Sequence, residues 1–366
     1  MTYNGHGGNI AQVCAAYGLK PDEIIDFSAN INPLGYSPNL PKKIRGELQT
    51  VRHYPDIDAS LLRSTIAPEI RHKEEEVLIG NGSTEFIYLI PRALRPKTGV
   101  VFEPTYSDYA RALRNSGAGV KEILCEADEK FKCDLNHPTL NAEIDGDNLL
   151  LYLCNPNNPT GYLTERADIL SSAKRFPSIY LVIDEAFMDF VDDAKNFSVL
   201  PDAGRVRNII LLRSLTKFCG FPGLRLGYMV AHPEVIERIG TFKEPWTVNT
   251  LAQIAGLVAL EDKHHANKSK EFVSAEKGFL YQQLLAIDGL KPLPPSANFI
   301  LVRITDNGPT ARELQRSLIR MGILIRDCTN FQGLGKRHFR VAVRNREENL
   351  QLLSCLESAL KGLTVG

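Results

Sequence analysis

Short runs of consecutive apolar residues, spaced by amphipathic stretches, fill the middle of this chain. Such runs predict strands buried on both faces. The stretches between them predict crossover helices, which together make a mostly parallel sheet. The predicted strands cover 76–79, 99–103, 149–154, 179–184, 208–213 and 226–231. Thr164 is placed to cap a helix running to Lys174, with Glu165 in its first turn. The last third has a different rhythm, with strands at 298–304, 323–327 and 338–343 and helices at 310–321 and 346–360. Lys291-Pro292-Leu293-Pro294-Pro295 predicts a loop that stops any helix before it.

At 366 residues the chain is too long for one ordinary core, and two domains are expected. The large α/β domain spans 45–260 and the small α/β domain 261–366. Residues 1–44, rich in Gly, Asn and Pro, predict an arm and loop that joins the small domain.

Charge and cysteine usage remove several function classes. Lys plus Arg equals Asp plus Glu at 43 each, so the global basic field of a nucleic-acid binder is missing. Any anionic ligand must then be held by a few local groups. No stretch approaches the ~18 apolar residues of a membrane span. The first residues lack the basic-then-apolar order of a secretory signal. The seven cysteines form no Cys-x-x-Cys pair and no Cys/His cluster of metal-ligand spacing, which predicts reduced thiols, a cytoplasmic protein and no metal.

Polar groups recur where the predicted strands end, the edge at which open α/β sheets bind ligands. Lys217 lies in Ser214-Leu215-Thr216-Lys217-Phe218, ahead of Gly223-Leu224-Arg225-Leu226-Gly227. Asn155-Pro156-Asn157-Asn158-Pro159-Thr160-Gly161 follows one strand, and Asp184 of Asp184-Glu185-Ala186-Phe187 ends another. This set describes a pocket for pyridoxal phosphate (PLP), with Lys217 as the imine-forming amine. A carboxylate at the end of an apolar strand can hold the proton on the PLP ring nitrogen, which is Asp184's role in this reading; a helix cap is its competitor. Asn158 can donate to the PLP phenolic oxygen or simply close a turn. Gly80-Asn81-Gly82-Ser83-Thr84 follows a strand and opens a helix, so its amides and hydroxyls form a seat for the phosphate. Ser214 and Arg225 complete that cage. Tyr106 can stack on the ring or fill a core. Arg326 and Arg340 lie at strand edges. They are either solvated ends or grips for a substrate with two anionic groups. Cys219 lies two residues past Lys217, but imine chemistry needs no thiolate.

As a set these residues resemble the fold-type I PLP enzymes, the aspartate aminotransferase superfamily. Within it the chain is similar to the threonine-phosphate decarboxylases of cobalamin biosynthesis and, next to them, the histidinol-phosphate aminotransferases. His6-Gly7-Gly8-Asn9-Ile10 and Asp26-Phe27-Ser28-Ala29-Asn30-Ile31-Asn32-Pro33-Leu34-Gly35 carry the first resemblance. It implies that Lys217 is the Schiff-base lysine, Asp184 the pyridinium partner and Asn158 the phenolic-oxygen donor. It implies that Gly82, Ser83, Thr84, Ser214 and Arg225 hold the PLP phosphate, joined by Tyr54 from the neighbouring subunit of a homodimer. His6, Gly7, Asn30, Asn158, Arg326 and Arg340 would bind the small phosphorylated substrate. Phe187 departs from the wider superfamily, where a tyrosine is common at this point. The implied reaction turns O-phospho-L-threonine into (R)-1-amino-2-propanol O-phosphate and CO2. Amino transfer from histidinol phosphate is the alternative. A PLP-sensing transcription regulator would need a DNA-binding module, for which the early start of the pattern leaves no room.

Overall fold

The computed structural model describes residues 7–128, 130–138, 140 and 149–364. Seven strands form the large sheet: β2 (Val77–Gly80), β3 (Thr98–Glu103), β4 (Gly119–Leu124), β5 (Leu149–Cys154), β6 (Tyr180–Asp184), β7 (Ile209–Ser214) and β8 (Gly227–Ala231). Their order is β2-β8-β7-β6-β5-β3-β4, and β8 alone runs against its neighbours. β5 and β7 are buried along their whole length, which explains why unbroken apolar runs marked them. Helices cover both faces. Phe86, Ile87 and Ile90 of helix Ser83–Leu94 join one core, while Leu62, Ile169 and Ala252 join the other.

The second sheet, ordered β12-β13-β10-β9, contains β9 (Leu290–Pro292), β10 (Phe299–Ile304), β12 (Arg326–Asp327) and β13 (His338–Ala342). Its core includes Ile300, Val302, Phe339 and Val341, covered by helices Ala311–Ile319 and Arg346–Thr364. β1 (Ile25–Asp26) pairs in parallel with β11 (Ile323–Leu324). Phe27 then extends the link: its N–H donates to Leu324 O and its carbonyl accepts from Ala342 N, both at 2.8 Å.

Several expectations are corrected. The strand expected over 323–327 is two strands in two different sheets, because Ile325 breaks the pairing between them. The proline-rich stretch at 291–295 starts inside a strand: Lys291 and Pro292 pair with Arg303 and Val302 at the sheet edge, where proline's missing N–H costs no ladder bond. Thr164 does not cap a helix. Helix Arg166–Arg175 starts after Glu165, and Thr164 is buried with its N–H donating to Asn155 Oδ1 at 2.9 Å. The N-terminal arm holds a helix, Ile10–Tyr17, which ends at Gly18 with φ of 67°.

Candidate active site

The ends of β2, β3, β5, β6 and β7 meet the segment around Ser28 and the middle of β13, where Arg340 sits, at a cavity of 610 Å³. Lys217 follows β7 and reaches the cavity from a single helical turn, Leu215–Phe218, capped by Ser214. Its Nζ donates to Thr216 Oγ1 at 3.3 Å. Burial, and then the nearby Arg225 guanidinium, lower its pKa to about 8. A substantial fraction of the amine is therefore neutral close to physiological pH.

Asp184 ends β6 and is buried beside the same cavity. Burial raises its pKa, while Tyr109, the Ala186 amide and Lys217 oppose that rise. Tyr109 donates to Oδ2 at 2.8 Å and the Ala186 N–H to Oδ1 at 3.0 Å. Tyr109 is itself stacked on Tyr152, with ring centroids 5.0 Å apart. Its hydroxyl is held protonated by burial and by the adjacent Asp184 charge, so its proton stays available for Asp184. The second acid of the motif, Glu185, does different work. It pairs with buried Arg213 at 2.9 Å and ties the end of β6 to β7.

Asn158 lies after β5 and lines the cavity. Its Oδ1 accepts from Arg340 Nη1, which leaves its Nδ2 as the group able to donate elsewhere. Arg340 Nη2 donates to Ser28 O at 2.9 Å, and its buried Nε has no partner among the described residues. Asn30, also at the cavity, has a buried Oδ1 with no partner among the described residues. Tyr106 lines the cavity and donates to Asp108 Oδ2 at 2.8 Å. Phe187 lines it too, and Lys217 Nζ lies 5.8 Å from the centre of its ring.

Ser83 and Thr84 line the cavity at the N-terminus of helix Ser83–Leu94. Gly82 stands just behind, with φ of 75°. A Cβ there would sit 2.5 Å from Arg225 Nη2, so only glycine lets that guanidinium approach. Ser214 is buried next to the site and its Oγ lies 2.7 Å from Thr216 Oγ1. Gly7 lines the cavity, whereas His6 lies outside the described residues. Arg326 does not reach the cavity wall. It bonds Asn330 Oδ1 at 2.8 Å and the carbonyl of Asp327, and its guanidinium lies 5.1 Å from the Phe331 ring centre. Tyr54 is elsewhere on the chain, 82% exposed and stacked on Trp246 at 4.9 Å. Burial raises the Cys219 thiol, consistent with an inert core cysteine.

The family model for aminotransferases of class I and II matches residues 22–356. The chain belongs to this family. It is 37% identical to the threonine-phosphate decarboxylase of Salmonella typhimurium over 98% of both chains. It is 34% identical to the histidinol-phosphate aminotransferase of Methanothermobacter thermautotrophicus, over 96% of this chain and 92% of that one. Among solved structures, L-threonine-O-3-phosphate decarboxylase of Porphyromonas gingivalis superposes with a TM-score of 0.79 at 27% identity, covering 91% of this chain and 99% of that one.

The residues of this family member fit PLP. A lysine of lowered pKa, a buried carboxylate with a raised one and an amide seat beside a guanidinium surround one cavity. Among the described residues no carboxylate forms an ion pair with Lys217. Four site residues were not legible in the sequence. Tyr109, through its hydroxyl on Asp184, and Ser28, through its carbonyl on Arg340, act across tertiary contacts that spacing does not reveal. Arg344 lines the cavity, with its Nη1 donating to Asp26 O at 3.1 Å. Asn32 fixes the turn after Lys217: its N–H donates to Lys217 O at 3.0 Å and its Nδ2 to Phe218 O at 2.8 Å. Ser28 and Asn32 both lie in the Asp26–Gly35 motif, the signal available for these two.

Proposed function

We propose that this protein is a PLP-dependent decarboxylase of O-phospho-L-threonine, releasing CO2 and (R)-1-amino-2-propanol O-phosphate for cobalamin biosynthesis. The observation that carries the proposal is Arg340, which faces the same cavity as Lys217 with no carboxylate paired to it among the described residues, whereas Arg344 beside it is neutralised by Glu348 at 2.9 Å. When bound, PLP supplies an electron sink for the bond broken at the substrate Cα. Asp184 keeps a buried negative charge opposite Lys217's wall, and Tyr109 and the Ala186 amide hold it in place. Lys217, neutral in part near pH 8, serves as the nucleophile and then as a proton carrier beside the reacting carbon. Arg340 orients the carboxylate to be lost, and its hold on Asn158 couples that grip to the ring side of the site. Ser83, Thr84 and Arg225 hold the cofactor phosphate. Arg326, cross-strand partner of Arg340 but outside the cavity wall, would have to turn from Asn330 and the Asp327 carbonyl into the cavity to take the substrate phosphate. Phe187 offers no hydroxyl, so Asn158 is the donor to the phenolic oxygen.

The protein works as a cytoplasmic homodimer in this reading. Its seven cysteines are all free. Tyr54, Val51, Ile57, Leu61 and Trp246 are large apolar side chains left in solvent, and in such a dimer Tyr54 would extend to the partner's phosphate seat. No helix of the described residues is long and apolar enough to cross a membrane. The test is to incubate purified holoprotein with O-phospho-L-threonine and no keto acid. Stoichiometric CO2 supports the proposal. Turnover only of histidinol phosphate, and only with a keto acid, would replace it with amino transfer.

A further inference from the structure

Ser28 joins two parts of the cavity wall that are far apart in sequence. The parallel pairing of β1 with β11, and the Phe27 carbonyl accepting from Ala342, bring residue 28 beside β13. Its carbonyl accepts from Arg340 Nη2 at 2.9 Å. Its hydroxyl accepts from the Gly8 N–H at 2.8 Å. The hydroxyl proton is committed elsewhere, donating to Asp26 Oδ1 at 2.6 Å. The Ser28 N–H donates to the same oxygen at 2.7 Å. Asp26 thus fixes which way the Ser28 hydroxyl turns, and its remaining lone pairs face Gly8. Contact on this side is close: a Cβ on Gly7 would lie 2.1 Å from Ser28 O. The bonds of Ser28 to Asp26 and to Arg340 are buried away from competing water, while the bond from the exposed Gly8 is part-buried.

We propose that Asp26 and Ser28 are positioning residues for substrate binding. Ser28 clamps the Gly7–Gly8 segment to Arg340, and Asp26 holds Ser28 in the orientation that does so. The clamp sets the distance between two walls of the anion-binding half of the cavity. Neither residue needs to touch the reacting atoms. The inference rests on the decarboxylase reading for the identity of the substrate, but not for the existence of the clamp.

The test uses full-length holoenzyme carrying Ser28→Ala or Asp26→Ala. Wild-type CO2 release from O-phospho-L-threonine tests the functional reading by itself. The clamp is tested by the ratio of variant to wild-type affinity, measured with whichever of phosphothreonine or histidinol phosphate the wild type turns over. In Ser28→Ala, KM is expected to rise about tenfold and kcat to fall by a smaller factor, because a buried hydrogen bond that orders the wall is lost. The visible absorbance of bound cofactor stays at its wild-type position, which also reports that the variant has folded. Hydrogen exchange at the Gly8 amide rises in both variants. If Ser28→Ala keeps wild-type KM and wild-type exchange at Gly8, the clamp does not exist. If either variant loses the cofactor absorbance instead, the pair is structural and the proposal is overturned.

Discussion

Asp184, at the end of β6, has both carboxylate oxygens engaged by donors from its own chain. Among the described residues, Arg340, on the smaller sheet, keeps its Nε buried with no partner, and Asn30 keeps its Oδ1 the same way. A buried polar atom left unsatisfied costs about 1–3 kcal/mol. One half of the cavity has therefore settled its polar groups in advance, while the other leaves them open. The settled half is built from strand ends of one rigid sheet. The open half is assembled from the N-terminal segment around Asn30 and the middle of β13 in the four-stranded sheet. A resident cofactor needs a fixed seat. A substrate that comes and goes needs groups whose satisfaction waits for it.

Breaking the settled half at its nucleophile has the largest expected effect. Lys217→Ala should lower turnover by more than about 10³-fold and abolish borohydride-stable attachment of cofactor to the chain. On the open half, Arg340→Gln should reduce kcat/KM by about 100-fold while the cofactor remains bound. Equal loss of cofactor and substrate affinity would erase the distinction between the halves. The rate at which apoprotein captures PLP should rise about tenfold from pH 7 to well above pH 8. The sign follows from Lys217, whose folded pKa is lowered to about 8, so its reactive neutral form accumulates as pH rises through that value. Arg225→Ala should move this midpoint upward, because it removes a like charge beside the amine. The smallest change is Tyr109→Phe, which should weaken cofactor affinity about fivefold with substrate KM little altered, read by equilibrium titration of absorbance.

The settled half was also the more legible in the sequence. Strands buried on both faces read as apolar runs, and their last residues are the site, so Asp184, Asn158 and Lys217 could be placed from one pattern. β4 escaped because it is an edge strand: Lys121 and Glu122 interrupt its apolar residues and five of its six positions are not buried. The open half depends on register between distant segments, and no local period encodes that. Ile25 meeting Ile323, and Phe27 meeting Ala342, put Ser28 at Arg340. The sequence also gave no sign that Arg326 and Arg340 would be cross-strand partners, with Arg340 at the cavity and Arg326 turned to Asn330. Their equal-looking positions at strand edges concealed unequal surroundings.

The central claim concerns which bond at the substrate carbon is broken. Equal concentrations of O-phospho-L-threonine and histidinol phosphate, offered with a keto acid to the same holoenzyme, test it most directly. The account predicts that CO2 and an amine-bearing phosphate ester dominate the products, with the keto acid left unconsumed. Consumption of keto acid matching loss of histidinol phosphate, without CO2, would contradict it.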